Sequence, residues 1–474
     1  MTSWPWRPFR SDVGAAGEAE GKGGKGLEKK DGHTTPACSP ESGRAAGRWA
    51  ALKEELKAYA KTIGIDKIGF ASAEPFTELK ERLVRHRELG YESGFEEPDL
   101  ERRTNPQLLM PGARSIIAIA LAYPTRMDHP PASRKGAYRG FFARAAWGED
   151  YHRVLRRKLE ELAAYLRHRV EGVQTEIMVD TGALSDRAVA ERAGIGWSGK
   201  NTAIITPEFG SWVYLGEMLT NLPFPPDIPI TQSCGECTRC IDACHTGALV
   251  APGQLDAKRC VSYLTQTKDF LAEEYREIIG NRLYGCDTCQ LVCPYNKGLN
   301  FTHQEAFAPD PEVVKPLLQP ILKMNNRMFR ERFGMSAASW RGKKPLERNA
   351  ILALAHYRDA SAIPLLLKKL EDPRPVIRGT AAWAVGKIAA GQEEAVRRRV
   401  QQALEQAYRQ ETIPEVSQEI EKGLRFQKEK DPASVADAGT GSEKPDGAIG
   451  QCDGVAGETG VGQDPAALSA NLPL

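Results

Sequence analysis

Residues 234–244 read CGECTRCIDAC, and residues 286–294 read CDTCQLVCP. The first stretch places Cys234, Cys237, Cys240 and Cys244 in the spacing C-x2-C-x2-C-x3-C. The second places Cys286, Cys289 and Cys293 in C-x2-C-x3-C, followed by Pro294, and Cys260 stands between the two groups. The first spacing is the bacterial ferredoxin run, in which the fourth cysteine ligates the other cluster. Eight thiolates are the number that two [4Fe–4S] clusters require. The crossing rule assigns Cys234, Cys237, Cys240 and Cys293 to one cluster and Cys244, Cys260, Cys286 and Cys289 to the second. Two zinc sites could use the same eight residues, but the tight triplets and the Cys-Pro ending favour iron–sulfur. His245 follows Cys244 where a ferredoxin usually has proline. With four cysteines available to each cluster, it is read as a surface or packing residue.

Outward from the cysteines the chain runs to 474 residues, enough for two or three domains. Hydrophobic residues make up 41% and charged residues 27%, the balance of a globular protein with a core. Lys and Arg number 64 against 62 Asp and Glu, a net charge of +2 that excludes a uniformly basic nucleic-acid coat but not a local patch. No apolar run is long enough to cross a bilayer. The opening MTSWPWRPFRSD lacks the apolar stretch of a secretory signal, so a cytoplasmic, reducing location is expected and a disulfide framework is not.

The two ends, residues 1–46 and 428–474, hold low-complexity stretches such as GKGGKGLEKKDG (21–32) and are expected to be disordered. Cys38 and Cys452 fall there and receive no role. Residues 47–230 mix helix and strand signals and read as an α+β or α/β domain. Trp49 to Ile63 has helical periodicity, and SIIAIALA (115–122) suits a buried strand. Helix is also expected over Tyr151 to Val170, and short strands over Glu176 to Val179 and Trp212 to Leu215. Residues 231–300 form the two-cluster ferredoxin-like module and 301–344 a less regular bridge. Residues 345–427 form an all-α layer in which three apolar helices (348–357, 361–372, 375–390) look like a HEAT-type repeat.

Asp180 follows an apolar strand directly, where a carboxylate either lines a site or caps a helix. AGIGWSGKN (193–201) is a glycine-rich turn that meets neither the Walker nor the Rossmann spacing. Residues 327–348 carry seven basic against two acidic side chains, net +5.

The series VDTGALSDRAVAERAGIGWSGKN (179–201), GSWVYLGEMLTNLP (210–223), CGECTRCIDACHTGAL (234–249), RCVSYLTQ (259–266) and NRLYGCDTCQLVCPYN (281–296) resembles the epoxyqueuosine reductases over residues 47–425. The resemblance implies a cobalamin-binding reductase domain, a two-cluster module and a HEAT-like C-terminal domain. It implies reduction of epoxyqueuosine to queuosine at the wobble position of tRNA, with cobalamin and two [4Fe–4S] clusters as cofactors. Asp180 takes the place of the family's proton donor, and a raised carboxyl pKa is expected for that task. The family often has proline where this chain has Ala183, and tyrosine where ARAAWGEDYH (143–152) has Ala145; Arg144, Asp150, Tyr151 and His152 are retained. Cofactor contacts are expected at Arg103, Asp180, Trp197, Lys200, Ser262 and Leu264. For tRNA, the basic residues Arg341, Lys343, Lys344 and Arg348 are expected to meet phosphates and Trp340 to stack a base.

No Asp-x-His-x-x-Gly box is present, so no protein histidine is expected on cobalt. An external single-electron donor and a monomeric chain complete the expectation. Two alternatives remain open at this point. One is a corrinoid iron–sulfur reductase of a small molecule, akin to the reductive dehalogenases. The other is a non-catalytic iron–sulfur electron carrier, for which the large leading domain has no use.

Overall fold

The structure, a computed structural model, describes residues 40–428. Cys38, Cys452 and nearly all of both expected tails lie outside the described residues. Residues 40–46, assigned above to the first tail, instead open the helix Pro40–Thr62, which begins nine residues before the apolar periodicity does.

Four strands form the central sheet: β1 (Lys67–Ser72), β2 (Ser115–Ala122), β3 (Thr175–Met178) and β4 (Val213–Thr220). Their order is β1-β2-β4-β3 and every neighbouring pair is antiparallel. Of the two readings α+β and α/β, the sheet therefore has the antiparallel pairing of the first. All eight residues of β2 are buried, as its unbroken apolar run requires. Alternation sends them to opposite faces. Ile117, Ile119 and Leu121 join a core with Leu56 of the helix Pro40–Thr62 and Leu155, Leu159 and Leu162 of the helix Tyr151–Arg169. Ile116, Ala118 and Ala120 face Val189 and Ala190 of the helix Asp186–Arg192. Gly216 lets the helix Tyr151–Arg169 lie close on β4, because an added Cβ would sit 3.0 Å from Leu155 and 3.3 Å from Leu159.

The cysteines ride on short pieces that include the helices Arg239–Asp242, Val261–Leu264 and Thr288–Leu291. The bridge is more regular than expected. Leu318–Lys323 and Asn326–Phe333 are helices, and their Leu318, Ile321, Leu322, Phe329 and Phe333 are buried. These side chains belong to one core with Leu264, Ile279 and Leu283 from the cluster segment and with the C-terminal helices. That layer comprises Lys343–His356, Ile363–Lys369, Pro375–Ala389, Glu394–Gln410 and Pro414–Lys428. Arg276 ties it to the cluster segment through a two-pronged ion pair with Glu419, at 2.6 and 2.8 Å, both side chains being at most 5% exposed.

Candidate active site

Asp150 caps the helix Tyr151–Arg169, its carboxylate accepting the backbone N–H of His152 at 3.1 Å. The cap fixes where the first turn of that helix points. Tyr151 stacks on Tyr214 of β4 with ring centroids 4.5 Å apart, and the His152 ring stacks on Tyr151 at 4.2 Å. His152 thereby spans two carboxylates. Its Nδ1 lies 2.7 Å from Asp150 Oδ1, and its Nε2 lies 3.2 Å from Asp180 Oδ2.

Burial works to lower the pKa of His152, but the hydrogen bonds and charges of Asp150 and Asp180 outweigh it and raise it to about 9. Burial works to raise the Asp180 carboxyl; His152, the Tyr151 hydroxyl and the charge of Arg103 prevail and hold it below its ordinary value. The expected upward shift at Asp180 is therefore reversed, because an imidazolium sits against it. At neutral pH the proton resides on His152 and Asp180 is a carboxylate. Half-buried Tyr284 feels the charge of Asp180 and is raised above its ordinary value, chiefly by desolvation.

The thiols fall into two neighbouring sets. Burial raises the pKa of Cys240 and of Cys293, and each is raised further by Cys234 and Cys237. Burial pushes Cys260 up to about 11, with added repulsion from Cys286 and Cys244. Cys289 is raised by burial and then by Cys286 and Cys260. Cys289 also feels Cys240, so the two sets adjoin. Cys234, Cys237, Cys240 and Cys293 line one small pocket together, and thiols so placed suit an iron–sulfur cubane. Arg144 joins this module to the leading domain. Its backbone N–H and Nη1 each donate to Asp287 at 3.0 Å, and its Nε donates to the carbonyl of Thr125 at 2.6 Å.

Three family models match the chain: "Epoxyqueuosine reductase QueG, DUF1730" over residues 103–181, a 4Fe–4S double cluster binding domain over 233–296, and HEAT repeats over 341–425. The epoxyqueuosine reductase of Bacillus cereus is 61% identical over 380 residues, covering 80% of this chain and 98% of its own length. The chain belongs to the epoxyqueuosine reductase family. A solved epoxyqueuosine reductase in complex with an epoxyqueuosine-modified tRNA-Tyr stem loop is 58% identical, with a TM-score of 0.78, and matches 80% of this chain and all of that one. A second, from Bacillus subtilis, has its catalytic aspartate loop swung out of the active site; it is 58% identical with a TM-score of 0.77, over 80% of this chain and 99% of that one.

The remaining residues expected from the resemblance to the epoxyqueuosine reductases divide by what they touch. Arg103 lies near Asp180, and its Nε is buried with no hydrogen-bond partner. Trp197 packs with Ile205 and Cys293 beside the first thiol set, its indole N–H also buried without a partner. Lys200 donates to the carbonyl of Gly235 in the first cysteine loop, so its charge is engaged there. The Ser262 backbone lowers the thiol pKa of Cys260 by hydrogen bonding, and the Ser262 carbonyl accepts from Thr265 and Gln266. Leu264 is a core side chain, 6% exposed, and its carbonyl accepts from Arg348.

Two of the four expected tRNA contacts are corrected. Arg348 is 1% exposed and donates to Thr267 and to the carbonyls of Asp269 and Leu264, so it cannot reach a phosphate. Lys343 donates to the carbonyl of Met324 and pairs with buried Glu347 at 3.3 Å. Arg341 remains half-buried at the rim, its guanidinium over the rings of Phe95 and Trp340 at 4.8 and 4.9 Å. Lys344 is half-buried at the start of the helix Lys343–His356. Trp340 is 52% exposed, its indole N–H donating to Gln266 at 2.7 Å. Sequence reasoning gave no role to the His152 pairing or to Phe95, which meets Trp340 edge-on at 5.2 Å. The capping aspartate two residues before His152 was the available signal for the first.

Proposed function

We propose that this chain reduces epoxyqueuosine to queuosine at the wobble position of tRNA, at a site centred on Asp180 with cobalamin and two [4Fe–4S] clusters as resident cofactors. The observation that carries the reading is the Asp150–His152–Asp180 array, set near Arg103, whose buried Nε has no hydrogen-bond partner. Arg103 fits a ligand bearing amides and a phosphate, as cobalamin does, and would hold its edge above Asp180. When bound, the clusters and the corrin supply single electrons from an external donor to the epoxide.

The epoxide oxygen leaves as water, which takes two electrons and two protons and joins the two ring carbons by a double bond. An unprotonated oxygen is a poor leaving group, so a positioned acid lowers the barrier. Asp150 fixes the orientation of His152 so that its Nε2 faces Asp180. The His152 proton crosses that hydrogen bond, and Asp180 presents it to the departing oxygen. The Asp180 turn is read as movable, in keeping with the swung-out loop of the Bacillus subtilis relative. Arg341 and Lys344 would meet phosphates, with Trp340 and Phe95 offering faces to splayed bases.

The proposed domain limits are 47–230, 231–300, 301–344 and 345–427, with the shared core joining the last three. Among the described residues no helix is long and apolar enough to cross a membrane. We read the chain as a cytoplasmic monomer.

The test is anaerobic reconstitution with iron, sulfide and cobalamin, followed by assay on tRNA carrying epoxyqueuosine. Mass spectrometry of the wobble nucleoside should show loss of one oxygen with the wild-type chain and none with Asp180→Ala. Turnover by both would remove Asp180 from the mechanism. No turnover by either, with clusters and cobalamin bound, would remove tRNA as the substrate.

A further inference from the structure

Asp180 has a φ of 53°, in the left-handed region that residues with side chains rarely adopt. The Thr181 N–H closes a tight turn onto the Val179 carbonyl across it, and a second hold comes from outside that turn. The Asp180 backbone N–H donates to Oδ2 of Asp186 at 2.8 Å. The intervening residues, Thr181, Gly182, Ala183, Leu184 and Ser185, include no proline to stiffen the loop.

Beneath Asp186 lies Glu217, 1% exposed in the middle of the sheet. It stands opposite Ala118 on β2 and Met178 on β3, on the face covered by the helix Asp186–Arg192. Its Oε1 is buried without a hydrogen-bond partner. An acid so placed, among apolar side chains and two other carboxylates, is expensive to keep unless it has a task. Burial raises Glu217 well above its ordinary value, and the charges of Asp186 and Asp180 and a hydrogen bond to Asp186 raise it further. Burial and the charge of Asp180 raise Asp186 to about 6, against the backbone and Glu217 hydrogen bonds that stabilise its ionised form. Both carboxyls are thus held above their ordinary values, Glu217 strongly so, as one proton shared between them would require. The Asp186 carboxylate is left to grip the Asp180 amide.

We propose that Asp186 and Glu217 are a positioning pair, sharing one proton, that clasps the Asp180 turn in its left-handed, site-facing conformation. The proposal rests on the reading of Asp180 as the group that delivers the proton. Neither residue touches the reacting atoms. Both act through the backbone of Asp180. Glu217 is the deeper of the two, and its neutrality keeps three neighbouring carboxyls from repelling the turn open.

The experiment compares the chain loaded with clusters and cobalamin with Asp186→Ala, Glu217→Leu, Glu217→Gln and Asp180→Ala, each loaded alike. Hydrogen exchange is read on peptides spanning residues 178–184, and kcat and KM on an epoxyqueuosine stem loop. Glu217→Gln keeps a donor to Asp186 and should match wild type in both. Asp186→Ala and Glu217→Leu should exchange about tenfold faster in that segment. Their kcat should fall about tenfold or more at unchanged KM, because misplacing a reacting group costs rate without costing binding. Wild-type exchange in Glu217→Leu, or fast exchange in Glu217→Gln, overturns the clasp. The leucine fills a site walled by Ala118, Met178 and Leu219; should it and the alanine variant still fail to fold, the glutamine variant decides alone by its exchange. An active Asp180→Ala chain would instead overturn the role of Asp180, and the exchange data would still decide the clasp.

Discussion

His152 Nε2 lies 3.2 Å from Asp180 Oδ2, and the two residues come from different elements 28 positions apart. The contact reverses the expected acid. A lone desolvated carboxyl would hold its own proton, whereas this one lies against an imidazolium whose pKa is raised to about 9; in the proposed mechanism it would take its proton from there. His152→Gln should therefore lower kcat by about a hundredfold with KM little changed, within the range for general acid catalysis.

The pH profile follows with a definite sign. Since the folded-state pKa of His152 is raised from 6.5 to about 9, its ion pairing stabilises the fold fully below pH 6.5 and is lost as pH rises through about 9. The wild-type kcat should fall along the same limb, and His152→Gln should lack it. A rate profile recorded from pH 6 to about 10 checks both.

Cys293→Ser should empty the cluster of Cys234, Cys237 and Cys240, although those residues are more than fifty positions away. Cys244→Ser should empty the other. In each case iron content should drop from about eight to about four per chain, read by iron analysis and by the electron paramagnetic resonance of the surviving centre. Loss of the same centre in both variants would contradict the crossed assignment.

The buried pair between Arg276 and Glu419 predicts a stability cost for cutting one side only. Arg276→Ala should destabilise by about 3 kcal/mol, because Glu419 is left in the core with Lys422 alone to pair its charge. Arg276→Met combined with Glu419→Leu should recover most of that loss in urea denaturation.

Arg341→Ala and Lys344→Ala should each weaken binding of an anticodon stem loop and reduce the slope of log affinity against log salt by about 0.7. Arg348→Ala should leave the slope alone. It strips the Arg348 donor from the carbonyl of Asp269, while that of Leu264 keeps the Thr267 hydroxyl, and should cost about 1–3 kcal/mol of stability for the acceptor left bare.

What could be read without coordinates was whatever depends on short spacing. The eight cluster cysteines were legible because three thiolates must wrap one face of a cubane within a few residues. The buried strand Ser115–Ala122 was legible because both its faces are covered and its apolar run has no gap. Asp180 stood out at the end of a strand, but the sign of its pKa shift did not, since that depends on a helix cap 30 residues upstream. Arg348 and Lys343 were misread because charge counting over a segment is blind to helix rotation. The apolar run that follows Arg348 was the sign that its helix turns inward. Glu217 was hidden in an otherwise apolar strand, where one carboxyl looks like solvent-facing alternation until the covering helix is seen.

The helix Lys343–His356 is buried from Pro345 through Ala355. An outer repeat that merely capped the protein would show one wet face, and this one has none for three turns. The helical layer is thus the back wall of the redox module: Leu264, Ile279 and Leu283, which lie near or between cluster cysteines, have this helix and its neighbours as their other half. A chain cut before residue 341 would keep all eight cysteines of residues 234–293 yet expose that wall, and it would be expected to aggregate rather than carry electrons.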